Sequence, residues 1–215
     1  MFDNILLLFL KAPVPGKVKT RLASTRGIEE AARLYKGMSA EVYRCVKELP
    51  GINMVVAYER AIEFPNLSWL DEKNPNFIDQ EGESLGERLE NAFRWAFTLG
   101  AKRVAALGGD SPGLSSEWIH KAFEGLHTHD LVLGPAEDGG YYLVGLQGRS
   151  DSGSNRLESV LFKDVPWSTP QVLKTTLEKS KEMGLRFSLL PVYFDVDDEE
   201  TLKRWETQSH NLSKR

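Results

Sequence analysis

One cysteine in 215 residues, Cys45, leaves no partner for an intrachain disulfide, a usage that fits a reducing cytoplasm. Cys45 itself falls among apolar neighbours on a helical face, so packing is its expected role. Cations are not in excess either. The 27 Lys and Arg face 31 Asp and Glu, a net charge of -4, and no broad basic surface for nucleic acid is expected. No apolar run is long enough to span a bilayer. The opening "MFDNILLLFLK" carries Asp3 and no base ahead of a short apolar run, with no small-residue cleavage site after it, so it reads as a buried strand and not as a leader or membrane anchor. Histidine is scarce. His120, His127, His129 and His210 lack the number and spacing of a zinc site. The P-loop pattern G-x-x-x-x-G-K-[ST] and the dinucleotide pattern G-x-G-x-x-G are both missing. So is the G-x-S-x-G elbow, which removes Ser111 of "GDSPG" as a hydrolase nucleophile.

What is present is an ordinary globular composition, 41% hydrophobic and 27% charged, at a length that suits one α/β domain over residues 1–215. Apolar runs at 4–11, 52–58, 76–80, 102–108, 130–135, 140–146 and 186–196 read as strands. Between them, apolar residues recur at helical steps, as at Ile28, Ala31, Tyr35, Met38, Val42, Cys45 and Leu49. Further helices are expected at 84–99, 115–126 with Ser115 or Ser116 as cap, 169–183, and the C-terminus. The stretch "QGRSDSGSNR" (147–156) is the most loop-like. Alternation of strand and helix predicts a mostly parallel sheet with helices on both faces.

Four loops that follow candidate strands carry the chemistry. In "KAPVPGKVKTRL" (11–22), Pro13 and Pro15 stiffen the chain and Gly16 lets it turn. Lys17, Lys19 and Arg21 then gather three cations at the start of a short helix, where the dipole already repels them. A bound phosphate repays that arrangement. In "QEGESLGERL" (80–89), Gln80 offers both donor and acceptor for a nucleobase edge, and Gly82 lets a flat ligand approach the backbone. Ser84 with Glu87 fits a helix cap. "LGGDSPGL" (107–114) places Asp110 just beyond a strand, where an open α/β sheet presents its ligands. "GPAEDGGYYLVGL" (134–146) sets Asp138 before two glycines, a pattern that is also a hairpin signal. A fifth segment, "YFDVDDEETL" (193–202), ends a strand in Asp195, Asp197 and Asp198. Cations for phosphate on one loop and hard carboxylate oxygens on others suit a nucleoside di- or triphosphate held with Mg²⁺ or Mn²⁺. Trp167 and the Tyr141–Tyr142 pair are candidate stacking surfaces for a sugar, with core packing as the alternative.

The four motifs, in this order, resemble the bacterial radical-SAM-associated and arsenosugar-biosynthesis glycosyltransferases of the nucleotide-diphospho-sugar transferase superfamily. The resemblance runs from Asn4 to about Leu202. More distantly the loop order is similar to 2-phospho-L-lactate and molybdenum-cofactor guanylyltransferases. It implies a GT-A fold with a Rossmann-like sheet and donor phosphates held by Lys19 and Arg21, with Gly16 shaping the turn. Asp110 would bind the metal, completed by Asp195 or Asp197. Two departures stand out: Asp110 is followed by Ser111 and Pro112 where many such enzymes carry Asp-x-Asp, and Gly109 stands where a small hydroxyl residue is usual. The expected activity is glycosyl transfer from a nucleotide-sugar to a small acceptor. Nucleotidyl transfer from a nucleoside triphosphate (NTP) with release of pyrophosphate and a non-catalytic nucleotide-binding module are the alternatives. Asp138, kept away from the metal, is the candidate base or orienting carboxylate, because a carboxylate bound to a cation is a poor base.

Overall fold

The computed structural model describes residues 2–148 and 156–212. Most of the loop expected at 147–156 therefore lies outside the described residues. Among these residues seven strands form one sheet: β1 (Asn4–Lys11), β2 (Asn53–Glu59), β3 (Phe77–Asp79), β4 (Arg103–Gly108), β5 (Leu131–Pro135), β6 (Tyr141–Gln147) and β7 (Phe187–Leu189). Their order is β3-β2-β1-β4-β6-β5-β7. All neighbours are parallel except those of β6, which runs antiparallel to both β4 and β5. This is the mostly parallel sheet expected.

Burial on both faces explains the unbroken apolar reading of β1. Leu6, Leu8 and Leu10 join one core, with Val42, Tyr43 and Val46 of α2 (Ile28–Val46) and Ile119, Ala122 and Phe123 of α4 (Ser116–Gly125). Ile5 and Leu7 join the other, with Leu89, Ala92, Phe93 and Ala96 of α3 (Leu85–Thr98) and Leu157 and Leu161 of α5 (Leu157–Leu161). Each Leu, Ile, Val or Phe among them contributes about 1.5–3 kcal/mol by leaving water. Helix α3 begins at a full capping box, Ser84 accepting from the Glu87 amide while Glu87 accepts from that of Ser84. Ser115 caps α4. Three further helices complete the described residues: α1 (Thr20–Arg26) before α2, and α6 (Val172–Glu182) and α7 (Glu199–Leu212) after α5.

One expectation needs correction. The strand expected over 186–196 pairs only as β7, at 187–189, and returns to the sheet as a single bridge from Tyr193 to Ala136. Pro191 has no amide hydrogen and cannot continue a ladder. The chain beyond it stays extended alongside the end of β5, the Tyr193 amide donating to Pro135 O at 3.0 Å.

The topology places the loops. The chain order reverses between β1, whose successors β2 and β3 lie on one side, and β4 on the other. A crevice opens there beyond the strands' carboxyl ends. The loops after β1, β4, β5 and β7 all emerge on this edge, because the antiparallel β6 starts beside the ends of β4 and β5. The Asp-Gly-Gly turn at 138–140 is indeed the hairpin between β5 and β6.

Candidate active site

Four loops converge in the crevice, and backbone bonds fix how they meet. The Val196 amide donates to Asp110 O at 2.9 Å, which brings the flanking Asp195 and Asp197 to the loop after β4. The Asp197 amide donates to Thr201 Oγ1 at 3.1 Å, tying that segment to the start of α7. From the other side Lys19 reaches in. Its Nζ lies 2.8 Å from Asp110 Oδ1 and 2.8 Å from Asp197 Oδ1. Burial opposes the charge on Lys19, but the pull of Asp110 and Asp197 outweighs it and holds the pKa above the ordinary lysine value.

Asp195 sits behind this pair. Loss of water pushes its carboxyl up to about 7; the Ser111 hydroxyl, which donates to Asp195 Oδ1, works against that, and the nearby Asp110 charge adds to it. Ser111 is fully buried and thus holds a carboxylate in place. Sequence reasoning weighed it only as a nucleophile and missed this role; a Ser directly after the strand-end acid was the available signal.

The crevice has two lobes, each of about 540 Å³, which share Phe9, Arg21, Leu85, Asp110, Tyr141 and Asp197 among their walls. That size suits a nucleotide-sized ligand. The first lobe is basic, lined by Lys11, Lys17, Lys19 and Arg21, with Tyr35 and Gln80. The second is walled by Leu89, Val172, Trp167 and Pro170, and Asp138 opens onto it. Trp167 meets Tyr141 edge-on with centroids 6.1 Å apart. So Trp167 and Tyr141 both pack against each other and face the cleft.

The expected site residues are gathered unevenly. Lys17, Lys19, Arg21, Asp110, Asp138, Asp195 and Asp197 all border the cleft. Gln80 borders it too, yet its amide nitrogen already donates to Leu10 O and Ala57 O at 3.0 and 2.9 Å, clasping β1 to β2. Its carbonyl oxygen is what it has left for a base. Gly16 (φ +77) turns its loop, and Gly82 packs close to Glu87 Cβ at the head of α3; both shape loops and neither lines the cleft. Gly109 is closely packed, and a Cβ there would run into the Leu10 side chain unless that side chain shifted. Asp138 is exposed and accepts from the Gly140 amide at 2.8 Å, which aims its carboxylate without giving it a cation.

Among the described residues no three His, Cys, Asp or Glu side chains form a ready metal cage. Two carboxylates suffice where substrate phosphates supply the other oxygens. Asp110 and Asp197 already aim oxygens at one cationic point, the Lys19 ammonium, so this donor set fits a hard divalent ion in kind.

Residues 43–169 match the family described as "Uncharacterized protein conserved in bacteria" (DUF2064). The chain belongs to that family. The matched stretch carries the Gln80, Asp110 and Asp138 loops of this DUF2064 member. A solved structure from Desulfovibrio desulfuricans G20, described as a "putative nucleotide-diphospho-sugar transferase", is 32% identical over 92% of this chain and 84% of its own, with a TM-score of 0.81. Two others share the fold at low identity. CMP:2-keto-3-deoxy-manno-octonic acid synthetase with CTP has a TM-score of 0.59 at 14% identity, over 97% and 99% of the two chains. Glucosyl-3-phosphoglycerate synthase from Mycobacterium tuberculosis, with Mn²⁺, uridine diphosphate and glucosyl-3-phosphoglycerate, has 0.51 at 10%, over 90% and 71%. No curated protein matches the chain.

Proposed function

We propose that this protein is a transferase that takes a nucleotide-activated donor into the crevice at the β1–β4 switch point, and that the reaction is glycosyl transfer from a nucleotide-sugar to a small acceptor. The observation that carries the reading is the meeting of the basic loop after β1 with Asp110 and Asp197 at one strand edge. The 32% identical relative supports it by its name, as does the resemblance of the four motifs to the radical-SAM-associated and arsenosugar glycosyltransferases. In this reading Lys17 and Arg21 grip the donor's phosphates in the basic lobe. Lys19 joins them, and Gln80 Oε1 faces the base. A Mg²⁺ or Mn²⁺ ion, as in the Mn²⁺ complex of glucosyl-3-phosphoglycerate synthase, would be held by Asp110 and Asp197 with Asp195 behind them. It supplies positive charge for the departing diphosphate. Asp138, in the second lobe, accepts the proton of the acceptor hydroxyl as its oxygen attacks. Trp167 and Tyr141 form the wall against which the acceptor lies.

Nucleotidyl transfer is the second reading. Four cations around the basic lobe suit a triphosphate, and the fold is shared with a synthetase that binds CTP. One experiment separates the two. The protein is incubated with Mg²⁺ or Mn²⁺ and a panel of nucleotide-sugars or NTPs plus hydroxyl acceptors, and ³¹P NMR follows the products. Nucleoside diphosphate released from a nucleotide-sugar supports glycosyl transfer. Pyrophosphate released from an NTP supports the second reading. Binding without any turnover across the panel would leave a nucleotide-binding module.

A further inference from the structure

A lysine whose only task is to meet phosphate belongs at the surface, as Arg21 is. Lys19 is not there. Its side chain is 3% exposed, whereas Asp110 and Asp197, which it joins, are 46% and 42% exposed. Its backbone is left-handed (φ 47, ψ 48) at the start of α1, a conformation rarely adopted without glycine. Buried Val18 and Leu22 pin the chain on either side, Val18 against Ala32 and Tyr35, Leu22 against Ala31 and Met38. The fold therefore accepts backbone strain to put this ammonium between two carboxylates with a third, Asp195, nearby. Without it, Asp110 and Asp197 would repel each other across the same point.

We propose that Lys19 is the resident counter-cation of this site: in the free protein its ammonium holds the place between Asp110 and Asp197, and a divalent ion gains that place only as donor phosphates draw the ammonium away. The donor half of this statement rests on the function proposed above. The competition between ammonium and ion for one pair of oxygens does not. It follows that metal alone binds poorly, since it must share the pocket with a buried cation or expel it into no other partner. Phosphate and metal then support each other's binding by equal factors. Lys19 acts here as a positioning residue that keeps the carboxylates assembled and makes metal loading depend on the donor.

The test is Mn²⁺ uptake without nucleotide, read from the loss of the free-ion electron paramagnetic resonance signal, in wild type, Lys19→Met and Lys19→Gln. Wild type is expected to take up no stoichiometric Mn²⁺. Both variants should bind it about tenfold or more tightly than wild type, a typical coupling between sites. Mn²⁺ should also raise the variants' melting temperatures and leave that of wild type unchanged. Variants that fold yet bind Mn²⁺ no better than wild type overturn the proposal. If neither variant folds, wild type decides alone: saturable Mn²⁺ uptake without nucleotide, lost in Asp110→Asn, overturns it, and uptake only once nucleotide is bound upholds it. These variants are measured with no nucleotide present, so a failure of every nucleotide to bind would remove the proposed donor without touching the competition.

Discussion

Arg21 lines both lobes of the cleft from an exposed position in the first turn of α1, where it can reach phosphate without a burial cost. Arg21→Ala is expected to weaken nucleotide binding by about tenfold or more, the scale of one hydrogen bond to a charged group at about 1.5–3 kcal/mol. The melting temperature should stay put, because an exposed cation adds little to stability. Calorimetric titration and a melt on the same sample check both halves. Asp138 separates binding from turnover in the opposite sense. Asp138→Asn should leave donor affinity unchanged and lower kcat by about 10²–10⁴-fold, the usual contribution of a positioned base. Steady-state kinetics with the true acceptor would show it, and full activity would remove the assignment. At this scale residue type alone was enough to bring Lys17, Arg21, Asp110 and Asp138 forward, and all four border the cleft. The sequence was not legible for Ser111, whose partner Asp195 is 84 residues away, or for the buried pairing of Lys19 with Asp197, 178 residues away, because both need the loops after β1, β4 and β7 to be neighbours.

The elements hold these residues through a few tight contacts. Gly139 has φ +89, and a Cβ there would lie 2.8 Å from the Pro170 carbonyl carbon. Gly139→Ala should cost about 1–3 kcal/mol from the strained conformation alone, and because it shifts both Asp138 and the 166–170 wall it should also depress turnover. Ser84→Ala, by contrast, removes one cap at the far end of that lobe. It should cost about 1 kcal/mol and leave nucleotide affinity unchanged. Urea unfolding midpoints measure both. Caps were readable because Ser84, Glu87 and Ser115 act within a few residues of one another. The end of β7 was not, because an apolar run rich in Leu, Phe and Tyr looks the same whether or not a partner strand continues beside it. Pro191 was the one local sign that it would not.

For the molecule as a whole, alternation of apolar runs and helical periodicity was enough to give a mostly parallel sheet covered on both faces. Strand order was not, since β1 and β4 are equally apolar and nothing local says that they are neighbours. The Asp-Gly-Gly turn alone hinted that β6 runs antiparallel. That order is what turns four separate loops into one crevice, so the central claim, that Asp110 anchors a donor site at the switch point, belongs to this scale. Its most direct measurement is calorimetric titration of wild type and Asp110→Asn with whichever nucleotide stabilises wild type, each with and without Mg²⁺ or Mn²⁺. For wild type, binding should tighten when the ion is present, and in a melt of the same sample nucleotide at a hundredfold excess over Kd should add about 2.7 kcal/mol to stability. Asp110→Asn, with Lys19 still paired to Asp197, should fold and lose the metal-dependent part of that affinity. Undiminished metal-dependent binding by Asp110→Asn would contradict the claim.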